Sequence, residues 1–198
     1  MLPDGVPSEA TLYRRTFDAA QAHDKIAAYR EIKPQKVGGK GSAVCRIKET
    51  MMSAQENKQL AMRGYERFMK GDIQGVLDIC DDDVEWTSAE LMAVPFSGAF
   101  HGKNGVADFF RKMAESVEFL AFQPESFIAD GDQVAVTGHS TTRVRSTGAT
   151  FDDNWVHIFT MKNGKTTRFE QHHNSAAIAA AFMPMGAAQG AAQPSARH

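Results

Sequence analysis

Apolar positions in this chain keep a helical period in its first half and a strand period in its second. Leu12, Phe17, Ala20, Ala27 and Tyr29 lie loosely along one side of a helix predicted over residues 8–31, with Ser8 as its N-cap. Pro34 to Ser42, with three glycines and two lysines, then reads as a flexible connection. The pattern sharpens at Ser53. Ser53 and Glu56 have capping-box spacing, and Leu60, Ala61, Gly64, Tyr65 and Phe68 recur at helical intervals until Gly71. Asp72 is placed to cap a second helix, whose apolar side is Ile73, Val76, Leu77 and Cys80. Asp81-Asp82-Asp83 is read as its end, before a short strand Val84-Glu85-Trp86. Leu91 to Gly102 mixes Pro and Gly with apolar residues, as a loop covering a pocket does. A third helix is predicted from about Asn104, with Val106, Phe109, Phe110, Met113 and Val117 as its core stripe.

Beyond it the period becomes two. Strands are predicted over 119–129 and 133–145, joined by the turn Asp130-Gly131-Asp132, and a further pair over 150–175 folds about Asn163-Gly164. Asn-Gly tolerates the positive φ angles of a type I′ hairpin turn, and the turn sets a register. With Lys162 facing Lys165, uninterrupted pairing puts Phe159 opposite Arg168, His157 opposite Glu170, Trp155 opposite His172 and Asp153 opposite Asn174, all on one face. That face is too polar for plain core and reads as a pocket wall. A short helix or arm, Ser175–Phe182, and a low-complexity tail follow. Helices interleaved with one early strand and then four consecutive strands predict an α+β roll, a curved antiparallel sheet packed against three N-terminal helices.

Length and composition narrow the partners. A chain of 198 residues, 42% hydrophobic, suits one core; residues 1–52 read as a loosely attached extension or an upstream start placed too early, since Met51-Met52 immediately precede the first clean helix, and 183–198 as a disordered tail. With 22 basic and 24 acidic residues mixed along it, the chain has no basic patch suited to nucleic acid or an anionic membrane. Cys45 and Cys80 make no disulfide framework, and no run approaches the roughly 18 apolar residues of a spanning helix. A cytoplasmic location is expected.

The series DDDVEW, VPFSGAFHGKNGVADFF, ADGDQVAVTG, WVHIFTMKNGK and RFEQHHNSAAIAAAF resembles SnoaL-like proteins of the nuclear transport factor 2 superfamily, which includes ketosteroid isomerase and limonene epoxide hydrolase. The resemblance covers residues 53–182. It implies a cone-shaped α+β fold, a homodimer, and an apolar pocket between the sheet and the helices. Members include isomerases, polyketide cyclases and epoxide hydrolases, so fold carries over better than activity. The position corresponding to the isomerase's general-base Asp falls near Trp86, and that of its oxyanion-hole Asp falls near His157. The Tyr-x-Asp-Thr pattern that commonly precedes the terminal arm is replaced by His172-His173-Asn174-Ser175.

The residues singled out for chemistry are His157 and Glu170, as an acid/base pair across the hairpin, since a carboxylate beside an imidazole fixes its tautomer. Trp86, Phe96, Phe100, His101, Asp153, Trp155, His172 and Asn174 are expected to contact a small apolar molecule, cyclic or polyketide-like. No metal and no cofactor is expected: the aspartate triplet cannot turn three carboxylates to one ion within a regular element, and His172 and His173 point to opposite faces of a strand. Two readings stay open. One is an isomerase, cyclase or hydrolase; the other is a non-catalytic binding or dimerisation module of the same fold.

Overall fold

The computed structural model describes residues 53–183; the helix expected over 8–31, the start at Met51-Met52 and nearly all of the tail lie outside them. Helix α1, Ala54–Met69, opens on the capping box: Ser53 Oγ accepts from Glu56 N, and the Glu56 carboxylate accepts from Ser53 N at 2.7 Å. Its buried side includes Asn57, Leu60, Ala61, Tyr65 and Met69, and Asn57 Nδ2 donates to Gly131 O, tying the helix to a turn of the sheet. Helix α2, Ile73–Asp78, is capped by Asp72. It stops earlier than its apolar pattern predicts. Strand β1, Cys80–Ser88, begins at once and absorbs the aspartate triplet, because Thr166 N–H of the last strand donates to Ile79 O and draws the chain into the sheet. Cys80 is therefore a buried strand residue, its thiol donating to Val76 O.

Strand β2, Ala99–His101, lies inside the segment expected to be loop and pairs with β1. Helix α3, Gly102–Ser116, buries Val106, Phe109, Phe110 and Met113, the stripe its period predicts. Strands β3, Val117–Asp130, β4, Gln133–Val144, β5, Thr150–Lys162, and β6, Lys165–His172, form the meander, and α4, Ser175–Phe182, folds back over it. The sheet has six strands in the order β2-β1-β6-β5-β4-β3. All neighbours are antiparallel except β1 and β6, so the sheet is mixed rather than wholly antiparallel. The α+β roll stands. Pro124, with no N–H to donate, sits on β3, an edge strand. Among the described residues no helix is long and apolar enough to cross a membrane, and no group of three or more His, Cys, Asp or Glu is placed to hold a metal ion.

The hairpin that closes the sheet departs from its expected register by one residue. Asn163 and Gly164 have φ of 50° and 76°, and Lys162 pairs with Lys165 as the turn demands. Met161 then pairs with Thr166 but Thr160 with Arg168, which leaves Thr167 unpaired as a β-bulge. The Thr167 hydroxyl donates to Thr160 O and holds the irregularity in place. Because side chains alternate, one extra residue exchanges the two faces of β6 beyond it. Phe159 faces Phe169, His157 faces Gln171 and Val156 faces His172.

Candidate active site

The concave side of the sheet, α1, α3 and the segment between β1 and β2 enclose a cavity of about 130 Å³. Its walls are mostly aromatic: Tyr65 from α1, Phe109 and Phe110 from α3, Trp86 from β1, Phe122 from β3, Trp155 and Phe159 from β5, and Phe169 from β6. Trp86 stacks on Phe169 with centroids 3.8 Å apart, and Trp155 on His157 at 4.2 Å. Gly138 makes the second stack possible, since a Cβ there would stand 2.3 Å from Trp155 Cζ2. Volumes near 150 Å³ with apolar walls take up one benzene ring.

Polar groups enter this cavity from one side. Asp153 is almost wholly buried on β5; its Oδ2 lies 2.5 Å from His173 Nδ1 and its Oδ1 accepts from Asn174 N at 2.9 Å. The carboxylate thus fixes the His173 ring and the start of α4 together. His173 Nε2 lies 2.8 Å from Oε1 of Gln171, so both ring nitrogens are engaged. The His157 ring stands 5.8 Å from that of His173, centroid to centroid, and its Nδ1 is 2.8 Å from the Tyr65 hydroxyl. Burial, reinforced by the His173 and His172 imidazoles, holds the His157 pKa well below the usual 6.5, so the ring is neutral near pH 7; burial also raises that of the Tyr65 phenol well above 10.0.

A neutral imidazole carries one proton, and the hydrogen bond to Tyr65 decides where. Were Nδ1–H to donate to the phenol oxygen, the buried hydroxyl hydrogen would still need an acceptor, and its contact is with Nδ1. With the hydroxyl donating to Nδ1, both atoms are satisfied and the imidazole proton sits on Nε2. His157 Nε2 has no hydrogen-bond partner among the described residues, and neither do the indole nitrogens of Trp86 and Trp155. A buried polar group left unpaired costs about 1–3 kcal/mol. All three residues line the cavity.

The residues expected to form the site are thus divided. His157, Trp86, Trp155, Asp153 and Phe96 line the cavity, Phe96 packing edge-on against Phe109 and Phe182 near the end of α4. Glu170 does not meet His157: the bulge places it opposite Ile158, on the other face of the sheet, where its carboxylate accepts from Arg168 Nη2. His172 is exposed for the same reason. Phe100 packs on Phe109 under the Lys112 ammonium and does not reach the cavity, and His101 is exposed at the N-cap of α3. Asn174 contributes its backbone N–H to Asp153 and its side chain to the cap of α4. Tyr65, Gln171 and His173 were not foreseen. Tyr65 stands on the apolar stripe of α1 and reads as core, while the other two reach the cavity only because of the bulge.

Comparison with known proteins bears on the fold that carries this cavity. Solved structures of the same fold include a nuclear-transport-factor-2-like protein from Burkholderia xenovorans LB400, 34% identical over 67% of this chain and 99% of that one, with TM-score 0.61. Another, from Burkholderia pseudomallei K96243 and of unknown function, is 28% identical over 65% of this chain and 98% of its own, with TM-score 0.60. TerC, co-crystallised with polyporic acid, is 28% identical over 64% and 98% of the two chains, with TM-score 0.54. No curated protein matches the sequence. The model of the SnoaL-like domain matches residues 61–169, from the middle of α1 into β6, and the chain belongs to that family.

Proposed function

We propose that the chain binds a small apolar molecule in the cone and moves a proton on it without a cofactor, as an isomerase, cyclase or hydrolase. The observation that carries this reading is the Asp153–His173 pair, 2.5 Å apart and set into a cavity otherwise walled by aromatic rings. A buried carboxylate fixes the imidazole's orientation and stabilises its cation, which is what a general acid/base requires. His157, 5.8 Å away and neutral, offers a donor on the other side of a bound group. TerC, a protein of the same fold and 28% identical, was co-crystallised with the small molecule polyporic acid.

A second reading, a non-catalytic binding module of the same fold, is favoured by one detail. Both ring nitrogens of His173 already have partners, so proton transfer requires Gln171 to turn away. Solvent deuterium exchange separates the two readings. Acetophenone, a flat ring bearing a ketone and an exchangeable methyl group, is incubated with the protein in D2O and followed by NMR. Exchange should be accelerated by the wild type, fall about 10²-fold or more in His173→Gln, and be unchanged in Glu170→Gln, whose side chain lies on the far face. Binding without accelerated exchange supports the module. Equal exchange in wild type and His173→Gln removes the pair from catalysis.

A further inference from the structure

Building on the acid/base reading of the Asp153–His173 pair, we infer that Gln171 is the positioning residue that governs Nε2 of His173. Its amide holds that nitrogen in either charge state of the ring, and a ligand reaches the nitrogen only by displacing the amide.

The surroundings of His173 divide into a fixed side and a releasable one. On the fixed side both oxygens of Asp153 act as acceptors: Oδ1 takes the Asn174 N–H at 2.9 Å, and Oδ2 lies 2.5 Å from His173 Nδ1. The proton between carboxylate and ring therefore belongs to Nδ1. Asp153 is almost wholly buried, so this side of the ring stays in place. The charge of the ring is then decided at Nε2, which carries a lone pair in the neutral imidazole and an N–H in the cation. The group that meets Nε2, at 2.8 Å, is an amide. A carboxylate there would serve only the cation, and an ammonium only the neutral ring. An amide serves both: Oε1 accepts from the imidazolium, and after a half-turn the NH2 group in the same place donates to the neutral ring. The last side-chain torsion of glutamine is broad and roughly two-fold, so both orientations are accessible.

Gln171 is also the partner that can leave. It is half-buried on the cavity wall, and its bond to His173 is the one hydrogen bond its side chain makes among the described residues. Displacing it breaks that bond alone, whereas displacing Asp153 would free both the ring and the start of α4. A ligand group that takes the place of the amide must itself hydrogen-bond Nε2, since otherwise the nitrogen loses its partner without replacement.

Diethyl pyrocarbonate tests this role without a substrate. The lone pair of an accessible, unprotonated imidazole nitrogen attacks the reagent's carbonyl carbon, an ethoxycarbonyl group is bonded to the ring, and ethyl carbonate leaves with the ring proton and decays to carbon dioxide and ethanol. The full chain is treated at pH 7, and labelling of His173 is followed by mass spectrometry with fragmentation that separates it from His172. His101, exposed at the N-cap of α3, is the reference. Relative to His101, His173 should label about fivefold faster in Gln171→Ala than in the wild type, because Nε2 is no longer covered. In Gln171→Glu it should label about fivefold more slowly, because the new carboxylate only accepts and holds the ring as its cation, which has no lone pair to attack. A merely structural contact would loosen in both variants and give no such opposition. Gln171→Glu decides alone should Gln171→Ala fail to fold. Unchanged labelling in the variants, or a change in the same direction in both, overturns the inference. Because labelling needs no turnover, a wild type that does not accelerate deuterium exchange while its labelling responds as expected removes catalysis and leaves the role of Gln171 standing.

Discussion

His157 ties the chemistry of the cavity to the stability of the fold. Its pKa is depressed by burial, so between the unfolded value near 6.5 and the lower folded value the unfolded chain binds a proton that the native chain does not. Stability from this residue is fully present above pH 6.5 and declines as the pH falls, by up to about 1.4 kcal/mol per pH unit, until the folded pKa is reached. Urea unfolding at pH 8, 7, 6 and 5 should therefore show a steeper acid loss for the wild type than for His157→Gln. Parallel profiles would mean that the ring takes up its proton in place. The same argument explains why Tyr65 matters beyond packing: as Phe it would leave a buried imidazole nitrogen unpaired.

Among the elements, the β5–β6 hairpin decides which chemistry faces the cavity. Asn163-Gly164 makes the turn legible from the sequence, and alternation makes one face of β5 legible, so the sequence puts Asp153, Trp155 and His157 on one face, the one that lines the cavity. The bulge at Thr167 was not legible. Thr166 and Thr167 are both ordinary strand residues, and only the sheet shows which of them loses its partner; a one-residue slip then exchanged Glu170 and His172 for Gln171 and His173. Helix ends behaved similarly: the Ser53 capping box is local and readable, whereas the stop of α2 at Asp78 is imposed by Thr166, a residue far along the chain. Gly138 on β4 provides a measurement at this level. A methyl group there would meet both the Trp155 ring and Gln123 O, the latter at 2.4 Å, so Gly138→Ala should destabilise by about 1–3 kcal/mol in urea. A change below about 0.5 kcal/mol would show that the indole moves aside readily, and that its stack on His157 is loose.

At the level of the whole molecule, residues 53–183 carry all six strands of the sheet, and the helix that opens this region supplies its own cap. The Burkholderia xenovorans protein is matched over 99% of its length by 67% of this chain. A protein trimmed to 53–183 should accordingly unfold at the same urea concentration and with the same slope as the full chain. A lower midpoint would assign the outer segments a structural role.

The parallel pairing of β1 with β6 has a consequence for how the protein is made. Residues 80–88 hydrogen-bond with residues 166–171, so the earliest strand to leave the ribosome waits for the last before it has that neighbour. Until then the apolar sides of α1 and α3, and the inward residues of β1, have no complete sheet to cover them. Contacts so distant in sequence slow folding and lengthen the time for which such surfaces can attract other chains. Biosynthesis, more than the equilibrium stability of the finished cone, is then the stage at which these apolar surfaces stay open longest.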